Sequence, residues 1–323
     1  MSAKRVLINT TLALGLLLAA YLLYKVFSRY SIDEITRSIA AIPVSRLLYG
    51  LGFATLSYLC LTGFDWMGLR YAGKPLSYPK AAIASFTGLS IGHNLGVAAL
   101  SSGAVRYRYY ARWGLSAEEV AKVILFCGIT VGIGLSVLAG LALLINPSDA
   151  ANLLAMSADG LFMLALACLA LPAAYVLLAA TVRAPLRLWK WSFEMPRLEL
   201  AIGQVVIGTL NFVFVAACLH QMLAAQGDVS FVQTATAFVL ANIAILLTHV
   251  PGGLGVLEAT VSHVLPGAAS IGALVAFRVI YFIVPLLIGI PVLAISEVVL
   301  RKRGKAVSED RGGQPSDAQA QLL

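Results

Sequence analysis

Charged side chains are scarce: only 12% of the 323 residues are Asp, Glu, Lys or Arg, against about 25% in an ordinary globular chain. A soluble sphere of this size needs more polar surface than that, so a water-soluble enzyme is excluded. Cysteine is sparse as well. Cys60, Cys127, Cys168 and Cys218 all lie inside apolar runs and no two form a CxxC pair, which indicates neither a disulfide framework nor a thiolate metal site. The four histidines, His93, His220, His249 and His263, show no HExxH or comparable spacing, so a metal site is not expected and no cofactor is implied. No Lys-Ser/Thr pair follows the glycines at 252–255, which excludes a nucleotide P-loop.

What the chain has in abundance is long apolar sequence, 60% hydrophobic residues in all. Six segments, roughly 7–27, 47–69, 120–145, 157–182, 199–224 and 270–298, meet the requirement of about 20 residues for a helix that crosses a bilayer. The first reads as a retained signal anchor, because its run from Val6 to Leu23 is too long for a cleaved signal and has no small-residue cleavage site. Two further apolar stretches, 81–105 and 231–266, are broken in the middle. The breaks are Gly92-His93-Asn94-Leu95-Gly96 and His249-Val250-Pro251-Gly252-Gly253-Leu254-Gly255.

Lys and Arg positions orient these segments, since short cytoplasmic loops retain positive charge. Loop 183–197 carries four basic residues (Arg183, Arg187, Lys190, Arg197), loop 106–122 carries four and loop 70–80 three; all three are read as cytoplasmic. Loops 146–158, 225–230 and 249–269 carry none and are read as external. Segment 81–105 then enters and leaves from the cytoplasm, whereas 231–266 opens to the other side. The expected fold is an all-α polytopic membrane protein with about six full spans and two re-entrant helical hairpins. The hairpins and their flanking spans form an inverted repeat, a construction that places broken helices near the bilayer midplane in transporters. Both termini are expected in the cytoplasm. Residues 1–300 form the membrane domain, including an interfacial amphipathic helix at 31–46 opened by the Ser31–Glu34 capping box and lined by Ile32, Ile35, Ile39 and Ile42. Residues 301–323 are polar and expected to be a disordered cytoplasmic tail. The net charge of +8 sits in the inner loops, so anionic lipid, not nucleic acid, is the natural partner.

Charge inside a span is costly, about 2.5–3.5 kcal/mol on insertion scales, and three such residues stand out: Asp65, Glu258 and Arg278. Glu258 and Arg278 either face a polar cavity and contact a headgroup, or form a structural ion pair tying the second hairpin to its neighbour. Asp65 is a candidate too, with snorkelling or a local pair near Arg70 the favoured reading. Pro251, Gly252, Gly253 and Gly255 let backbone approach a ligand, and the half-helix after them would point its N–H groups at an anion such as a lipid phosphate; a tight reversing turn is the plain alternative. His93 and Asn94 at the first break and His249 at the second join the candidates. Arg106, nearest the first break, suits a phosphate contact, whereas Arg108 and Arg112 read as orientation signals. Gln204 and Asn211 read as hydrogen bonds between helices.

Taken together, Gly63-Phe64-Asp65, His93-Asn94-Leu95-Gly96, the run Ser101 to Arg108, and the segment His249 to Glu258 with Arg278 resemble the membrane domain of the lysylphosphatidylglycerol synthase/flippase (multiple peptide resistance factor) family. The resemblance covers about residues 5–300. It implies a bacterial inner-membrane protein that moves aminoacylated phosphatidylglycerol between leaflets, with Glu258, Arg278, the 251–255 turn and the Arg106 region lining the lipid path. Full-length members carry a soluble aminoacyl-transferase domain after the last span. Here a polar tail follows that span, so lysine transfer is not expected and a lipid transporter is favoured over an enzyme. A membrane enzyme or a non-transporting subunit acting on a lipid-linked substrate is the alternative. A membrane phospholipid is the expected partner, together with a separate lipid-modifying synthase or a second copy of the chain.

Overall fold

The computed structural model describes residues 32–95, 98–145, 147, 151, 156–182, 186–188, 191–248, 253–266 and 270–312. Ile32–Ala40 forms a short amphipathic helix, α1, shorter than the expected 31–46. Pro43 ends that segment and stands as the N-cap of α2, Val44–Tyr71, as suits a residue with fixed φ and no N–H to donate. Ile39 of α1 packs on the core and Ile42, just past its end, is buried there, with α10 (Ile271–Arg278) as the helix opposite.

The other helices follow the hydropathy. They are α3 (Tyr78–Leu95), α4 (Ala98–Arg112), α5 (Ala117–Ile145), α6 (Ala158–Thr181), α7 (Leu198–Leu223), α8 (Phe231–Thr248), α9 (Val256–Val264) and, after α10, α11 (Val284–Gly312). Six helical segments are long and apolar enough to cross a membrane: α2, α5, α6, α7, α8 and the run Gly272–Val298. Five coincide with expected spans. The expected span at 7–27 lies outside the described residues, and the sixth segment is α8, which the sequence assigned to a hairpin arm. At 1.5 Å per residue its 18 residues reach about 27 Å. α3 runs to Leu95, so Gly92, His93, Asn94 and Leu95 of the first expected break are helical, and α8 ends at Thr248, just before the second; residues 96–97 and 249–252 lie outside the described ones. In each case the helix before the break packs on the helix after it. The one departure from helix among the described residues is a two-stranded ribbon, Leu186–Leu188 against Trp191–Phe193, with Leu186 opposite Phe193. The last helix continues to Gly312, past residue 301 where the sequence placed the start of a disordered tail.

The core is built on α7, which packs along α2 and α5. Its crossing with α5 is a backbone contact: a Cβ on Gly134 would stand 2.3 Å from the carbonyl carbon of Gly208. Small residues permit this approach, and close packing replaces the hydrophobic drive that lipid removes. Gly134→Leu should lower stability in detergent by about 3 kcal/mol, the upper end of the overpacking range, because backbone cannot swing aside. Gly128→Ala, where nothing lies within 4 Å, is the control. It should leave the unfolding midpoint unchanged or raise it slightly, since Ala favours helix over Gly by about 1 kcal/mol.

At two of the helical prolines, the carbonyl left without its helical donor is supplied with one by a neighbouring helix. Pro172 in α6 cannot donate to Cys168, and Ser136 Oγ of α5 donates to that carbonyl at 2.6 Å. Pro285 likewise leaves the carbonyl of Tyr281 without its donor, and here the helix widens into a π turn over Val279–Ile283. The Tyr58 hydroxyl of α2 donates to the Tyr281 carbonyl over a long 3.4 Å, and Asn94 Nδ2 reaches the carbonyl of Phe282 at the same distance. The π turn is thereby tied to α2 and to the end of α3. Such turns satisfy at membrane depth what an interrupted helix leaves open.

Candidate functional site

The end of α3, the start of α9 and the π turn converge on one cavity of about 220 Å³. Its wall is mostly apolar, but four polar residues reach it: His93, Asn211, Asn242 and Tyr281. His93 belongs to the first break and Gly253, also in the wall, to the second. Two segments 160 residues apart in the chain therefore share a chamber. His93 Nδ1 is buried with no hydrogen-bond partner among the described residues. Its ring stacks on Tyr281 and lies edge-on to Tyr58 and Phe282. Asn211 Oδ1 accepts from Ser57 Oγ at 2.7 Å, and Ser57 also bonds the Tyr281 hydroxyl at 2.9 Å. Asn94, beside His93, is turned away, donating to the carbonyls of Ser90 and Phe282.

Glu258 and Arg278 sit just behind this wall. Arg278 Nε and Nη2 grip the carboxylate in a two-point pair, the Nη2 contact at 2.9 Å, and the same Nη2 donates to the carbonyl of Gly253 at 2.9 Å. The guanidinium lies 5.4 Å from the centroid of Phe282. Glu258 Oε2 also accepts the N–H of Gly255 at 2.8 Å. At the N-terminus of α9, where the sequence placed a ligand anion, the Gly255 N–H is taken by a carboxylate of the helix's own first turn, which stabilises that end of the helix. Gly253 and Gly255 have φ of +59° and +85°, where an L side chain is strained. The arrangement fixes a tight glycine turn, lashes it to α10 and places Gly253 in the cavity wall.

Asp65 and Arg106 form a second, separate cluster, and the expected local partner of Asp65, Arg70, is not used. Asp65 is wholly buried and accepts from Arg106 Nε at 2.8 Å and Nη2 at 2.7 Å, from the Tyr110 hydroxyl at 2.7 Å and from Cys127 Sγ at 3.2 Å. Arg106 Nη1 donates to Ser102. Arg70 instead lies over the Trp66 ring, 3.7 Å from its centroid. The side chains of Asp65 and Arg106 do not line the cavity; they join α2, α4 and α5. Of the remaining candidates, His249, Pro251 and Gly252 lie outside the described residues.

The family model of the lysylphosphatidylglycerol synthase TM region matches residues 12–289. The chain belongs to this family. Like the family, it is a multi-pass integral membrane protein, and the match takes in both breaks, the cavity and both ion pairs. It is 28% identical over 261 residues to the uncharacterized protein slr0712 of Synechocystis, a match covering 80% of this chain and 81% of that one. It is 25% identical over 265 residues to the inner membrane protein YbhN of Escherichia coli K12, covering 80% and 82%.

A third charged cluster, which joins Glu297, past the family match, to Arg108 and Arg112 within it, escaped the sequence reading. Glu297 in α11 is buried and accepts from Arg112 at 2.7 and 3.0 Å and from Arg108 Nε at 2.5 Å. Tyr109 bonds Ser296 beside it. The two arginines taken for orientation signals are thus also the clamp that holds α4 against the final helix. The signal available was an acidic residue inside the last apolar run, close before the basic residues at 301–303. Gln204, by contrast, joins helices as expected, bonding Tyr175, Thr130 and the Phe126 carbonyl.

Proposed function

We propose that this protein carries a phospholipid between the leaflets of a bacterial inner membrane, the headgroup passing through the cavity where the two breaks meet. The observation that carries this reading is the shared wall of His93 and Gly253, one from each interrupted element. A polar chamber at membrane depth, bounded by broken helices, is how transporters hold a polar group away from hydrocarbon. In this reading α3–α4 and α8–α9 are re-entrant hairpins opening to opposite faces, the flanking spans form an inverted repeat and both termini are cytoplasmic. The family resemblance favours an aminoacylated phosphatidylglycerol as substrate and transport over catalysis. A separate synthase that supplies the lipid is the natural protein partner.

Two measurements test it. Purified protein in vesicles of phosphatidylethanolamine and phosphatidylglycerol should move headgroup-labelled phospholipid faster than protein-free vesicles; no acceleration with any of several headgroups overturns the proposal. Single cysteines at Lys80 and Asp228, exposed positions at the bases of the two hairpins and outside the cavity, with the four native cysteines changed to Ser, should react with an impermeant maleimide from opposite faces. Reaction of both from one face removes the opposed hairpins.

A further inference from the structure

Beside the cavity, on the lipid-facing side of the same wall, runs an apolar groove of about 480 Å³ between α2, α3 and the segment that begins in the π turn. Tyr58 lines this groove, and its other neighbours, His93 and Tyr281, line the cavity. The π turn contributes to both compartments, with Ile280 in the groove and Tyr281 and Phe282 in the cavity. One layer of aromatic side chains therefore separates a space with polar groups on offer from one that offers only hydrocarbon.

The contrast in hydrogen bonding is what identifies the occupant. Four groove residues carry a polar atom, and each is already bonded within the protein. Thr55 bonds the Leu51 carbonyl at 2.8 Å, Thr62 bonds both the Leu59 carbonyl and the Tyr78 hydroxyl at 2.8 Å, and Tyr58 donates to the Tyr281 carbonyl. In the cavity His93 Nδ1 is unpaired among the described residues. A ligand in the groove gains nothing from a polar atom, whereas a ligand in the cavity does. The groove's volume lies within the range of about 300–1,000 Å³ of ligand sites, and its mouth is on the membrane face, at Ile83 and Ile288, both exposed.

Building on the translocation reading, the geometry points to this groove as the seat of one acyl chain of the phospholipid whose headgroup enters the cavity, with Tyr58 and Tyr281 as the partition between tail and headgroup. The tail is held by the protein as the headgroup moves; it does not trail in bulk lipid.

The test uses the full chain in lipid nanodiscs containing phosphatidylglycerol with a photoactivatable diazirine in one acyl chain. Illumination should place adducts on the groove faces of α2, α3 and α11 several-fold above those on the exposed face of α6, at Phe162 and Leu177. Ile83→Trp and Ile288→Trp, which fill the mouth at exposed positions and should fold normally, should remove the groove adducts and leave those on α6. Even labelling of all lipid-facing helices overturns the assignment. So does groove labelling by a diazirine fatty acid with none by the phospholipid. The headgroup-transfer assay on the same proteins separates the two readings. Groove adducts without transfer leave the acyl seat standing and translocation refuted; transfer at the native rate in both Trp variants, with even labelling, does the reverse.

Discussion

Asp65→Ala is expected to cost about 3–5 kcal/mol of stability, the penalty for removing one partner of a buried ion pair. Four donors converge on this carboxylate, and without it the guanidinium of Arg106, 3% exposed, keeps among the described residues only the Ser102 hydroxyl as acceptor. The loss comes from the charge left behind, not from the worth of the pair. The double variant Asp65→Leu with Arg106→Met removes both charges and should recover most of the stability. Denaturant unfolding in detergent, followed by tryptophan fluorescence, compares them; the Trp113 ring lies tilted beside Tyr110, with centroids 6.1 Å apart, and reports on the cluster. A single variant no weaker than the double would show that the cluster does not hold α2, α4 and α5 together.

Glu258→Gln should lower lipid transfer by more than tenfold. Truncating a hydrogen-bonded buried charge pair costs about 2–5 kcal/mol, and the lower figure placed on a barrier already exceeds a factor of ten in rate. Gln keeps an oxygen for the Gly255 N–H but no charge for Arg278. Exchanging the two residues, Glu258→Arg with Arg278→Glu, restores opposite charges yet leaves the first turn of α9 without an acceptor, because arginine only donates. If the exchange restores transfer, the pair alone matters; if it does not, the glycine turn that the carboxylate holds is what the site needs. Arg278→Lys should fall between, since an ammonium cannot hold the carboxylate at two points and the Gly253 carbonyl as a planar fork does.

Charges inside apolar runs were legible because a carboxylate or guanidinium among Val, Leu and Ala demands a partner. Glu258 and Arg278 stood out for that reason, and their pairing was one of two readings. Arg106 was not assigned to Asp65 because they are 41 residues apart, on helices whose rotation only packing decides, whereas Arg70 lay five residues away. Glu297 went unnoticed because charge near the end of a span is ordinary. The breaks were visible in Gly, His and Pro, yet which polar side chains line the chamber was not. Asn211 and Asn242 sit in continuous helices, where an amide more often bonds a neighbour. The π turn left one trace, Pro285, but a proline gives no indication of whether a helix will kink, widen or borrow a donor from elsewhere.

That widened turn sets a phase. Arg278 and Glu297 are nineteen residues apart on one helical rod. At about 100° per residue, an uninterrupted α-helix would leave them about a quarter-turn out of step. One turn with i→i+5 bonding takes back about one residue's rotation, and with it Arg278 meets α9 while Glu297 meets α4. The rod is thus indexed at both ends, like a shaft keyed into two gears. Deleting any one residue of 279–283 would straighten the helix and force one of the two charge pairs apart, so the length of this stretch is as constrained as its chemistry.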